Sequence, residues 1–169
     1  SSDLNNTLAD FRLSGDARSV LGSISLAKLR AASDFTRARL RVDTNARTFR
    51  VETWQKAAAT WTAIGGTETL ATNDTFGFGV VGAAPANTQA ALGQSPPCLD
   101  DMGNAIANTA CIVFNSRGIP IDNAGAPNGN NAIYVTDGAA VYGITLSATR
   151  SAEHTSELQS LAYLVCRLL

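Results

Sequence analysis

The sequence predicts an α+β fold, one long N-terminal helix followed by about six or seven antiparallel strands, with the helix covering a sheet face. Two observations carry this. Apolar residues recur at alternating steps of four and three across residues 4–32, and the period drops to two from Ala38 onward. Beyond that point, short β-rich runs are separated by turns built from Gly, Asn, Asp and Pro.

In the helix, Leu13, Ala17, Val20 with Leu21, Ile24, Ala27 and Ala31 form one apolar stripe, while Asp16, Arg18, Ser25, Lys28 and Arg30 fall largely between them. Leu4, Leu8 and Phe11 continue the spacing upstream, and Gly15 and Gly22 each cost about 1 kcal/mol in a helix interior. The next segment is a half-buried strand. Ala38, Leu40 and Val42 point to one face and Arg37, Arg39 and Arg41 to the other. Asp43 to Ala46 supply turn chemistry, and Phe49, Val51 and Thr53 alternate with Thr48, Arg50 and Glu52 in an antiparallel partner.

Trp54 and Trp61 flank Gln-Lys-Ala-Ala-Ala-Thr, which reads as a wide turn or a short helical piece closed by Gly65-Gly66. Two tryptophans this close read as a cap on a core rather than a sugar site. Strands are expected within Thr67 to Val81, on Leu70, Thr72, Phe76, Phe78 and Val80, with bulges at the glycines. Residues 82–110 read as a long loop. Order returns at Ile112-Val113-Phe114 and Ile119-Pro120-Ile121. A last hairpin joins Ala132–Thr136 to Val141–Ala148 through Asp137-Gly138.

At 169 residues, 45% apolar and 16% charged, the chain is long enough for one domain with a real core. The net charge of −1 hides an asymmetry: residues 1–60 hold ten Lys/Arg against six Asp/Glu, and residues 61–149 hold Arg117 against six acids. Such polarity fits stacking of like subunits or an anionic partner, with Arg37, Arg39, Arg41 and Arg50 as the candidate contacts. A solvated strand face that guards an edge explains it equally well.

Cys98 and Cys111 bracket a polar loop with no histidine or further cysteine nearby to complete a metal site. A disulfide is the natural inference and implies an oxidising compartment. Two unrelated buried thiols are the alternative.

Catalytic chemistry finds little support. The single histidine, His154, has no triad or metal partners in the pattern. Asp100-Asp101 with Asn104 offers oxygens of the kind Ca²⁺ takes, yet adjacent acids in a polar loop are ordinarily just solvated. Residues 125–129 lack the Gly-Lys-Ser/Thr ending of a phosphate loop. The chain reads as a non-enzyme with no cofactor and no metal.

The order Ala17-Arg18-Ser19-Val20-Leu21, Leu29-Arg30-Ala31-Ala32, Arg39-Leu40-Arg41-Val42, Phe49 to Trp54, Ile112 to Gly118 and Ile144 to Ala148 resembles the type IV pilin-like proteins. The resemblance is to the minor pseudopilins of the general secretion pathway H and FimT type, and it spans about Ala17 to Thr149. It implies a pilin-like stalk helix at residues 1–33 and a β-rich head at 34–149. It also implies a hydrophobic N-terminal segment methylated after leader removal, which this sequence does not contain; the chain reads as starting partway along the helix.

By the same resemblance the protein is a structural subunit of a type IV pilus or a type II secretion pseudopilus. It would sit in the bacterial cell envelope, anchored in the inner membrane through that missing segment, with its head periplasmic or extracellular. Its partners would be other pilin or pseudopilin subunits and secreted cargo. The second reading is a DNA-binding minor pilin that uses the basic residues of the first hairpin for DNA uptake. Arginines without nearby exposed aromatics are a weak nucleic-acid signal. Residues 150–160 resemble a translated sequencing adapter, so 150–169 reads as a non-native tail; the competing reading is a C-terminal helix on Leu158, Leu161, Leu164 or Val165, and Leu168.

Overall fold

The computed structural model describes residues 2–79, 93–129, 131–149 and 159–168. Helix α1, Ser2–Ser33, buries Leu13, Ala17, Val20, Ser23, Ile24, Ala27 and Ala31, the expected stripe with Ser23 added. Its end is set by backbone chemistry. Phe35 takes a left-handed φ of 50°, which lets Thr36 N–H reach back to the Ala31 carbonyl at 3.2 Å in a Schellman closure. Glycine ordinarily fills that position; here an exposed phenylalanine does.

Among the described residues nine strands follow: β1 Ala38–Asp43, β2 Thr48–Gln55, β3 Thr60–Thr69, β4 Thr75–Phe76, β5 Thr109–Phe114, β6 Pro120–Ile121, β7 Asn131–Thr136, β8 Val141–Thr149 and β9 Gln159–Leu168. They form two antiparallel sheets, β3-β2-β1-β5-β6 and β4-β7-β8-β9, where one sheet was expected. The helix stripe, Leu40 and Val42 of β1, Phe49 and Val51 of β2, Ile112 and Phe114 of β5, Ile133 and Val135 of β7, and Ile144 and Leu146 of β8 meet in one core. The fold is α+β, with the helix packed on antiparallel sheets.

The turns are closed by carboxylates. Asp43 Oδ1 accepts from the N–H groups of Asn45 and Ala46, and Asp137 Oδ1 from those of Ala139 and Ala140. The Asp137-Gly138 hairpin therefore has a four-residue loop, with Thr136 paired to Val141. Two expectations need correction. The Trp54–Trp61 segment is neither a wide turn nor a helical piece: four residues connect Gln55 to Thr60 as a tight hairpin, and Gly65-Gly66 sits inside β3 where the register with β2 slips. The C-terminal segment is a strand on the free edge of β8, not a helix, because an unpaired row of N–H and C=O groups is a ready template for a short apolar run. Val80, the start of the long loop and residues 150–158, His154 among them, lie outside the described residues.

Candidate functional site

The pleat places Arg37, Arg39 and Arg41 on the outer face of the first sheet, away from the helix, and the register sets Arg39 opposite Glu52 and Arg41 opposite Arg50. The four arginines are not equivalent. Arg39 and Glu52 are each only 2% exposed: Arg39 Nε donates to Glu52 Oε2 at 2.7 Å, its Nη2 lies 2.6 Å from the same oxygen, and its Nη1 donates to the Leu99 carbonyl at 2.6 Å. Arg50 reaches Glu52 Oε1 at 2.6 and 2.7 Å, and Arg41 approaches it at 3.6 Å. One carboxylate thus serves three guanidinium groups. Burial draws the Arg39 pKa down and Glu52 pulls it back up, and the guanidinium stays protonated.

The disulfide explains how this pair comes to be covered. Cys111 lies on β5 opposite Arg41, and its bond to Cys98 ties the 98–111 loop across the same outer face. Cys98 N–H donates to Thr109 Oγ1, Ile106 N–H to the Cys98 carbonyl and Cys111 N–H to the Pro96 carbonyl, so the loop base is stitched on both sides. Asp100 closes the loop tip by accepting from the N–H groups of Met102 and Asn104 and from the Asn104 amide. Those bonds, the Asn104 N–H first, hold its carboxyl below the ordinary range. Asp101 turns the other way, and its Oδ1 accepts from Trp61 N–H at 2.8 Å on the sheet edge. The two adjacent acids therefore serve different elements. Among the described residues no group of three or more His, Cys, Asp or Glu is placed to hold a metal ion.

Aromatic rings complete the face, which the sequence pattern did not reveal. Trp54 and Trp61 meet edge to face at 5.3 Å across the hairpin, the Arg37 guanidinium stands 4.7 Å from the Trp54 ring centre, and that of Arg39 3.9 Å from Trp61. Arg37 forms no ion pair among the described residues. An open pocket of about 220 Å³ lies here, lined by Arg37, Trp54, Trp61 and Val113 of the sheet, by Leu99, Asp100, Asp101 and Gly103 of the loop and by the 122–125 turn.

A second cluster joins the helix to the head. Asp16 Oδ2 accepts from Ala71 N–H at 2.7 Å, and the buried Asp74 carboxyl lies within hydrogen-bonding reach of Asp16. Burial first, then Asp16 and Asp137, push the Asp74 pKa up to about 7 against the opposing charge of Arg12.

No protein-family model and no curated protein matches the chain. Among solved structures it is similar to the minor pseudopilin EpsH from the Type 2 Secretion System of Vibrio cholerae. That distant likeness has a TM-score of 0.45 and 12% sequence identity, over 89% of this chain and 97% of that one.

Proposed function

We propose that the chain is a structural subunit of a pilin-type assembly in the bacterial cell envelope, a minor pseudopilin of the general secretion pathway H and FimT kind. Residues 1–33 act as the stalk and 34–149 as the head. The observation that carries this reading is the division of α1. Its C-terminal part is buried on the sheets from Leu13 onward, while Leu4, Leu8 and Phe11, in the same spacing, stay 75%, 48% and 74% exposed. A monomer gains nothing from that row, whereas a neighbouring helix would cover it. No described helix is long and apolar enough to cross a membrane.

The outer face supports a role in contacts. Its acids and three of its arginines are committed to one another or to backbone groups, which leaves no row of unpaired cations there among the described residues to track phosphates. Deletion of the native gene abolishes piliation or secretion on this reading, and its return restores the lost activity. Normal filaments and normal secretion in the deletion strain would overturn it.

A further inference from the structure

We infer that the Arg37–Trp54–Trp61 pocket is a recognition site for a single carboxylate, an Asp or Glu side chain or a chain terminus, presented by a partner polypeptide. The inference stands on the pocket itself and does not depend on filament assembly.

By charge alone the pocket is ambiguous, because Asp100, Asp101 and Asp122 line it together with Arg37 and Arg39. Hydrogen bonding resolves the ambiguity. Each acid already accepts backbone N–H groups: Asp100 those of Met102 and Asn104, Asp101 that of Trp61, and Asp122 those of Ala124 and Ala126. The donors are in the opposite condition. The Arg37 guanidinium is held by ring faces and has no acid partner, and neither indole N–H donates to a protein group among the described residues. Oδ2 of Asp101 and Oδ2 of Asp122 accept from no group among the described residues, so the pocket keeps acceptor capacity too; what it lacks is an acceptor for the Arg37 fork, which a carboxylate supplies.

The ring stack also restricts how the Arg37 guanidinium moves, since it lies 4.7 Å from the Trp54 centre and 5.6 Å from that of Trp61. A planar fork fixed in this way suits bidentate binding of a carboxylate. The pocket is about 220 Å³, room for one side chain rather than a folded ligand. A nucleic acid fits less well, because Arg39, Arg41 and Arg50 share Glu52 and offer a backbone no row of phosphate contacts. The pocket acids repel a polyanion at every one of its charges and a single carboxylate only once, a cost that the Arg37 fork can offset.

The chain has two tryptophans, so two indole N–H resonances report on the site. Blocked Ac-Ala-Ala-Glu-Ala-NH2, its glutamine counterpart and a short duplex oligonucleotide are titrated at low salt into the full chain, with indole shifts followed by NMR. The glutamate peptide is expected to shift both resonances saturably and the glutamine peptide not to do so. Arg37→Ala should weaken binding about tenfold, the loss of one charge-assisted bidentate contact. Arg37→Lys should retain part of it, and Arg18→Ala on the exposed helix face should retain all of it. Equal response to the two peptides, or unchanged binding in Arg37→Ala with its fold intact by the same spectra, would overturn the assignment. Stronger Arg37-dependent binding of the oligonucleotide would overturn it in favour of a nucleic-acid site.

Discussion

Glu52 receives three guanidinium groups in a place that water hardly reaches, so its removal does more than delete one bond. Arg39 would keep its charge with the Leu99 carbonyl, the Trp61 face and the more distant Asp101 charge to compensate it, and Arg41 and Arg50 would face each other without Glu52 between them. Glu52→Leu is therefore expected to cost about 3 kcal/mol in urea unfolding, and adding Arg39→Met should recover much of that loss. A single-variant cost below about 1 kcal/mol would show that the pair is not what holds this face. Asp74 acts with the opposite sign. Its folded pKa of about 7 lies above the ordinary 3.8, so the folded state holds the proton more tightly, and stability falls as pH rises from about 4 to about 7. Asp74→Asn keeps a hydrogen-bond donor for Asp16 and should flatten that slope. It should stabilise the protein at pH 8 by about 2 kcal/mol, allowing for solvent screening near the partly exposed Asp16. Unfolding curves at pH 5 and pH 8 check both the sign and the size.

Among the elements, the 98–111 loop links the disulfide to the charge cluster, because the Leu99 carbonyl caps Arg39 and Asp101 caps the Trp61 N–H. Closing a span of 13 residues is worth about 3 kcal/mol in the chain-entropy account. Reduction should remove roughly that much and also change tryptophan emission before global unfolding, as the loop lifts from the Trp54–Trp61 pair; thermal scans with and without reductant, read by fluorescence, test this. How legible each element was in the sequence follows from how local its determinants are. The helix and the β1–β2 hairpin were plain, since a period change and Asp43 turn chemistry are written in neighbouring residues. β3 was not: Lys56 with three alanines reads as helix-forming, and Gly65-Gly66 reads as a stop, although the structure uses those glycines as an irregularity within the strand. The C-terminal run satisfies helical and strand periods alike, and only the free β8 edge decides between them. In the site, alternation exposed the arginine face, and the register would have exposed the Arg39–Glu52 pairing. The loop that buries the pair lies 60 residues away in sequence, and Asp16 meets the Ala71 N–H across 55. Neither meeting leaves a local signal.

At the scale of the whole molecule, α1 carries one continuous apolar row, buried in its C-terminal part and exposed upstream, and the proposed role assigns the two parts different uses. From Leu13 onward the row is core, and truncating a buried member such as Ile24 to Ala should cost about 2–4 kcal/mol. Upstream, Leu4, Leu8 and Phe11 contribute little to the monomer because they stay exposed. The triple change Leu4→Ser, Leu8→Ser and Phe11→Ser should therefore leave the head's unfolding within about 0.5 kcal/mol of the parent. On the proposed role in a pilin-type assembly, the same triple change in cells carrying the native gene should strongly reduce recovery of the protein in sheared filaments or cross-linked pseudopilus fractions, while the level of folded protein is maintained. The two readouts separate the two uses. A destabilised head would place the upstream row in the monomer core, and undiminished incorporation would mean that the subunit assembles through its head. The second outcome would move the main contact to the outer sheet face, where the Arg37 pocket already offers one.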